Sequence, residues 1–218
     1  MSRYYYDLHI HSCLSPCADN DMTPCNIAGM AAINGLGIVA LTDHNSTKNC
    51  RAFFAAAKRH GIVPVAGIEL TTAEDVHIVC LFPTLEAAEK FDDEYRSFRI
   101  LYKNRKDIFG DQLILDEEDN VIGEEEHLLL NASTLSIEDA ERLAKKYGAA
   151  VFPAHIDRDE NGIIAALGCV PETPHFHAVE FRDRGKAAEY TEKFGLSDKL
   201  ILADSDAHYL WDISEAEN

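Results

Sequence analysis

Short apolar stretches alternate with segments of helical periodicity along almost the whole chain. Seven stretches, at residues 4–8, 38–41, 63–68, 76–81, 149–152, 178–181 and 200–203, are rich in apolar and β-branched residues. Several are apolar on both alternations, as expected for strands covered on both faces, and they predict buried parallel strands. The intervening segments read as helices. Thr23-Pro24 supplies an N-cap with proline at the first helical position, Ile27, Met30, Ala31 and Asn34 share one face, and Gly35 stops the run. An Ala- and Phe-rich segment, 46–60, ends at Gly61. Leu85, Ala88, Phe91, Tyr95, Phe98 and Tyr102 recur every three or four residues and predict one long amphipathic helix. Ser136 and Asp139 form a variant capping box opening a helix to Tyr147, and 186–194 predicts another short helix.

One region breaks the rhythm. Residues 112–132 carry two apolar patches around an acidic turn at Asp119-Asn120, predicting a hairpin inserted between the fourth and fifth strands. The expected architecture is α/β, a distorted (β/α)7 TIM-like barrel, with 1–218 forming one domain and the small acidic insertion spanning about 107–135. An open doubly wound sheet is the alternative, but the chain has neither a G-x-G-x-x-G nor a G-x4-G-K-[ST] loop.

Charge narrows the partners. Twenty Lys and Arg against 38 Asp and Glu leave a net charge of −18, which argues against a sequence-independent grip on long nucleic acid. A phosphate site would therefore need local cations. No apolar run approaches the roughly 20 residues of a membrane span, and the N-terminal segment 1–7 has no signal-like apolar stretch, so a cytoplasmic location is expected. Cys13, Cys17 and Cys25 lack the paired C-x2-C spacing of a separate zinc or iron–sulfur site, and free thiols are expected.

The candidate chemistry clusters at strand ends. The first strand runs into His9-Ile10-His11, with Asp19 beyond; the second ends at Asp43-His44; the third ends at Glu69. The fourth carries His77, the fifth precedes His155, and the seventh precedes Asp206-Ala207-His208. Alternate residues of an extended segment point the same way, so His9 with His11, and Asp206 with His208, can each grip one metal. His60, His127, His175 and His177 read as ordinary surface or loop residues. Nine candidate ligands exceed the four that one zinc takes, and they suit two or three divalent ions, with Zn, Mn and Fe all compatible. Such ions clamp a phosphoryl group and turn water into a nucleophile near neutral pH.

The motifs Asp7-Leu8-His9-Ile10-His11-Ser12, Leu41-Thr42-Asp43-His44, Gly67-Ile68-Glu69 and Ser205-Asp206-Ala207-His208 resemble those of the PHP family, named for bacterial polymerases and histidinol phosphatases. The resemblance implies a distorted seven-stranded barrel with two or three metals at its mouth. It assigns His9, His11, Glu69 and Asp206 to the first metal; Glu69, His77 and His155 to the second; and Asp19, His44 and His208 to the third. The segment Ser15-Pro16-Cys17-Ala18 before Asp19 is longer than the commoner Ser-Asp-Gly form, which leaves the path of that loop open. Arg158 is the foremost candidate phosphate clamp, with Arg182, Arg184 and Lys48 as others. Asp43 is placed to orient a ligand or move a proton. The expected activity is a metal-dependent phosphoesterase, a phosphatase for small phosphomonoesters such as a nucleotide or another metabolite. A 3′-end nuclease or phosphodiesterase, and a non-catalytic metal-binding module, are the alternatives.

Overall fold

All seven apolar runs form strands in the computed structural model, which describes residues 4–216. Met1–Arg3, part of the polar N-terminal segment noted above, and Glu217–Asn218 lie outside the described residues. In chain order the strands are β1 (Tyr6–Asp7), β2 (Ile38–Leu41), β3 (Val63–Thr71), β4 (His77–Phe82), the inserted pair β5 (Leu113–Leu115) and β6 (Val121–Glu124), then β7 (Ala150–Pro153), β8 (Ala178–Phe181) and β9 (Leu200–Ala203). The acidic insertion is the expected antiparallel hairpin, turning through Asp119 at φ +62°.

The sheet corrects one expectation. Its order is β1-β2-β3-β4-β7, and only β1, β2 and β3 pair in parallel. β4 pairs antiparallel to both β3 and β7. Only five residues separate β3 from β4, too few for a helical crossover, so the chain turns back as a hairpin instead. β8 and β9 form a separate parallel ribbon. The ribbon joins the sheet at one end, where the Ile156 amide donates to the Glu180 carbonyl at 2.8 Å and the His11 amide to the Ala207 carbonyl at 3.0 Å. The result is an α/β fold with a curled, half-barrel sheet.

The helices are α1 (Pro24–Ile33), α2 (Cys50–Arg59), α3 (Leu85–Tyr95), α4 (Lys106–Phe109), α5 (Ile137–Lys146), α6 (Ile163–Leu167) and α7 (Ala187–Phe194). The Thr23 and Ser136 hydroxyls cap α1 and α5 by accepting from the Asn26 and Asp139 amides. α2 starts later than predicted, because the Thr47 amide and the Ser46 and Thr47 hydroxyls are drawn to the buried Asp92 carboxylate of α3. α3 ends at Tyr95 and does not reach Tyr102 as expected. A 3-10 turn carries the chain to Phe98, and Arg99 is extended so that it can bridge to Ser133, as Lys103 bridges to His127. These bridges tie the returning insertion to the body.

The core lies between the sheet and α1, α2, α3 and α5, with Leu41, Phe53, Ile68, Phe91, Tyr95 and Phe176 fully buried. Each such side chain contributes roughly 1.5–3 kcal/mol through apolar burial. At Gly67 a Cβ would lie 2.7 Å from the Thr42 methyl, so only glycine lets β2 and β3 approach this closely two residues before Glu69. No helix among the described residues is long and apolar enough to cross a membrane.

Candidate metal centre

The reversal of β4 explains how its first residue reaches the site. The ends of β1, β2, β3, β7 and β9 lie at one rim, and the antiparallel β4 begins there, with His77 opposite Thr71. Eight of the nine candidate ligands come together at this rim.

Glu69, fully buried, is the hub. His77 Nδ1 lies 2.9 Å and His155 Nε2 3.1 Å from Glu69 Oε1, while His44 Nδ1 lies 3.0 Å from Oε2. His9 Nε2 and His11 Nε2 approach the same carboxylate at 3.3 Å each. Asp206 Oδ1 closes that group, 3.3 Å from His11 Nε2 and 3.6 Å from His9 Nε2. Donor atoms converge in three overlapping sets: His9, His11, Glu69 and Asp206; His44, Glu69 and His77; and His11, His44 and His208. His155 and Asp206 hold positive φ, +28° and +49°, a costly backbone state that side chains at functional sites adopt when their surroundings impose it.

Two buried hydrogen-bond chains fix which ring nitrogen faces the centre. His9 Nδ1 lies 3.0 and 2.9 Å from the two oxygens of buried Glu180, so Nδ1 donates to that carboxylate and Nε2 is the nitrogen that faces inward. Behind His11, the Ser15 hydroxyl donates to Asp43 Oδ1 at 2.7 Å, so it accepts from His11 Nδ1 at 3.1 Å. That leaves His11 Nε2 free to coordinate. Asp43, 1% exposed, also accepts from the Ser12 amide and hydroxyl, both at 2.7 Å. Its oxygens thus face serines behind the site instead of substrate, and it is placed to position His11 through Ser15. Glu180 lies on the sixth apolar run, where sequence reading assigned no chemistry; a carboxylate inside an otherwise apolar strand was the available signal.

The donor set fits divalent ions. His44 Nδ1, Glu69 Oε2 and His155 Nδ1 are buried without a hydrogen-bond partner, and the first two point at each other from 3.0 Å. Lone pairs that converge in this way are costly unless a cation receives them. Protonation tells the same story. Burial opposes charge on both His9 and Glu69. Even so, Glu180, Glu69 and Asp206 push the His9 ring well above the usual imidazole range, and His77, His9 and His44 hold Glu69 well below the usual carboxylate range. His208, disfavoured as a cation by burial and by His11, is lowered to about 3 and stays a neutral donor.

The centre opens into a cavity of about 700 Å³ whose lining includes His44, His77, His155, His208, Arg158 and Arg182. Arg158 Nη1 donates to Asp206 Oδ2 at 2.8 Å, and Arg182 Nη1 to the same oxygen at 3.3 Å. Asp206 therefore faces the imidazoles with one oxygen and two guanidinium groups with the other. Tyr209 lines the rim and stacks on Trp211, with centroids 4.8 Å apart and planes at 14°; Trp211 is 76% exposed. Lys48 stands apart, paired with Glu125 of the insertion. Arg184 follows β8 near Tyr6 and lines a separate surface pocket. Asp19 also departs from expectation: its amide donates to the His208 carbonyl, but its carboxylate accepts from the Asp21 amide at 2.8 Å and joins none of the three donor sets.

The chain is 38% identical over 78 residues to a 3′,5′-nucleoside bisphosphate phosphatase of Chromobacterium violaceum, a match covering 34% of this chain and 26% of that protein. It is 34% identical over 79 residues to a 5′-3′ exoribonuclease of Haemophilus influenzae, covering 35% and 28%. The matching stretch thus spans only about a quarter of either relative's length. Among solved structures, a lesion-specific endonuclease of Pyrococcus furiosus superposes with a TM-score of 0.63 at 18% identity, covering 95% of this chain and 49% of that one. A protein of Bifidobacterium adolescentis assigned as a metal-dependent phosphoesterase gives 0.63 at 16%, covering 95% and 88%. At these identities the likeness is one of fold. The PHP domain model matches residues 7–151, more than half of the chain, and with the histidine- and carboxylate-lined rim described above this chain belongs to the PHP family.

Proposed function

We propose that this protein is a metal-dependent phosphoesterase acting on small phosphomonoesters, with a phosphorylated nucleoside as the substrate class. The observation that carries the reading is Asp206, where the buried ligand cluster and two half-exposed arginines meet at the cavity floor. His9, His11, Glu69 and Asp206 would hold one ion, Glu69, His77 and His155 a second, and His44 and His208 a third. Such ions supply Lewis acidity toward phosphoryl oxygens and lower the pKa of water.

The protein's own groups do the rest. Arg158 and Arg182 present planar N–H donors to the phosphoryl oxygens and supply the local positive charge that a chain of net charge −18 needs. Glu180 and Ser15 hold the His9 and His11 rings with Nε2 inward. The Tyr209–Trp211 stack offers a flat π surface at the rim, suited to a nucleobase whose phosphate reaches the floor. The bisphosphate phosphatase among the relatives supports a nucleotide substrate.

The test is orthophosphate release from 3′- and 5′-nucleotides, sugar phosphates and an aryl phosphate, after loading with Mn²⁺ or Zn²⁺ and beside His9→Ala. Release by wild type, absent in the variant and greatest with nucleotides, supports the reading. Cleavage of nucleotide diesters or oligonucleotide ends without monoester turnover overturns it in favour of a phosphodiesterase.

A further inference from the structure

The two arginines that meet on Asp206 Oδ2 reach it from separate loops, Arg158 from the turn after β7 and Arg182 from the first residue after β8. Both are half-exposed, so their long side chains are aimed only as well as the backbone beneath them is fixed. Arg158 is held locally, its amide donating to the His155 carbonyl at 2.9 Å. Arg182 is held from the other loop. Asp157, the residue before Arg158, has a side chain only 1% exposed. Its Oδ1 accepts from the Arg182 amide at 2.9 Å and its Oδ2 from the Asp183 amide at 3.1 Å. Lys186 Nζ lies 3.4 Å from the same Oδ2. Arg182 Nη1 in turn donates to the Asp206 carbonyl at 3.1 Å as well as to its Oδ2. A buried carboxylate persists only where donors meet it. This one directs both oxygens at consecutive amides of a loop that carries a cavity-lining arginine, while Asp157 itself does not line the cavity.

We propose that Asp157 is a positioning residue that sets Arg182 beside Arg158, so that two loops present a single phosphate clamp. With the backbone at residues 182 and 183 pinned to the neighbour of Arg158, the two guanidinium groups keep a fixed relation. Their remaining N–H donors are then presented to one phosphoryl group as a pair. Asp157 belongs to none of the three metal-donor sets. Its effect on phosphate therefore passes through Arg182, and removing it misplaces that guanidinium while the metal centre stays as it is. The inference rests on the phosphoesterase reading above.

The experiment measures calorimetric binding of inorganic phosphate to the zinc-loaded protein, together with KM and kcat for an aryl phosphate. The proteins are wild type, Asp157→Asn, Asp157→Ala, Arg182→Ala and the Asp157→Ala/Arg182→Ala double variant. Asp157→Ala, which strands both amides, should weaken phosphate binding and raise KM by about tenfold, the scale of a displaced positioning group. Asp157→Asn keeps one acceptor and should lose less. Zinc affinity should be unchanged in both. The double variant should bind phosphate no more weakly than Arg182→Ala alone, because residues acting through one contact are not additive. Should Asp157→Ala fail to fold, Asp157→Asn in the Arg182→Ala background makes the same comparison. Wild-type phosphate affinity in the Asp157 variants, losses that multiply in the double variant, or loss of zinc binding in both Asp157 variants overturns the role of Asp157. Each leaves the phosphoesterase reading standing so long as wild type releases phosphate. A wild type that neither binds nor releases phosphate overturns both.

Discussion

Replacing Asp43 with asparagine tests whether this carboxylate is a structural clasp behind the metal centre. The Ser12 hydroxyl accepts from the Leu14 amide at 3.2 Å and from Asn49 Nδ2 at 3.0 Å, so its one proton is committed to Asp43 Oδ2. Asp43 Oδ1 accepts from the Ser12 amide and the Ser15 hydroxyl. An asparagine keeps the Oδ1 pair only by aiming its NH2 at the Ser12 oxygen, which already receives two donors. The Ser12 proton then has no acceptor. Stranding a buried polar group costs about 1–3 kcal/mol, and two bonds to a charged acceptor become bonds to a neutral one. Together these come to about 3 kcal/mol. At roughly 2–4 °C per kcal/mol for a chain of this size, Asp43→Asn should lower Tm by about 6–12 °C in thermal unfolding with chelator present. Ser15→Ala provides the contrast. It removes the acceptor that holds His11 Nδ1, and should weaken zinc affinity by about 10- to 100-fold. An Asp43→Asn protein that melts within about 2 °C of wild type would refute the clasp.

Three further substitutions probe the surroundings. Glu180→Gln replaces the two oxygens that share His9 Nδ1 with one, and should cut zinc affinity about tenfold in competition with a chromophoric chelator; unchanged affinity would remove Glu180 from the positioning scheme. Arg158→Ala and Arg182→Ala should each lower kcat/KM for a phosphomonoester by about 10- to 100-fold, the worth of one charge-assisted phosphate contact, and equal loss for an uncharged ester analogue would contradict phosphate recognition. Glu125 pairs with Lys48 and Arg99 and fastens the insertion to the body. Burial favours its neutral form, but those two cations win and lower it from 4.5 to about 2. A depressed carboxylate stabilises the fold above its unfolded value, and that contribution disappears as pH falls through the folded one. Wild type should therefore exceed Glu125→Gln by about 2 kcal/mol near neutrality, with the gap closing between about pH 5 and pH 2 in denaturant titrations. A gap independent of pH would mean that the ion pairs contribute nothing.

Strand existence was legible because burial on both faces leaves a compositional mark; strand direction was not. β3 and β4 are both short apolar runs, and their pairing sense is set by the five residues between them, where a Thr72–Asp75 turn replaces a crossover helix. His77 reached the rim all the same. In an antiparallel neighbour the first residue lies where a parallel neighbour's last residue would, so misjudging the direction of β4 did not displace its ligand. The long helix expected through Tyr102 failed for a different reason. The apolar period continues, but Ile100, Leu101 and Tyr102 are at least half exposed, and the chain there is claimed by bridges to residues 127 and 133, partners far away in sequence.

The same distinction runs through the site. Ligands on or next to strands, such as His9, His11, Glu69, His77, His155 and Asp206, inherit their placement from the sheet, so the order of motifs along the chain was enough to gather them. Ligands on loops do not. Asp19 lies on the loop between β1 and α1, whose path the sheet does not set. Local hydrogen bonds decide it: the Asp21 amide donates to Asp19 Oδ1 and the Met22 amide to its carbonyl, and the carboxylate joins none of the three donor sets. Positioning groups were hidden by a third route. Glu180 and Ser15 are not among the residues lining the cavity over the centre, and their importance lies in the ring nitrogen they hold on His9 and His11. For His9 that constraint exists only once strands from opposite ends of the chain, with Glu180 171 residues away, have been brought together.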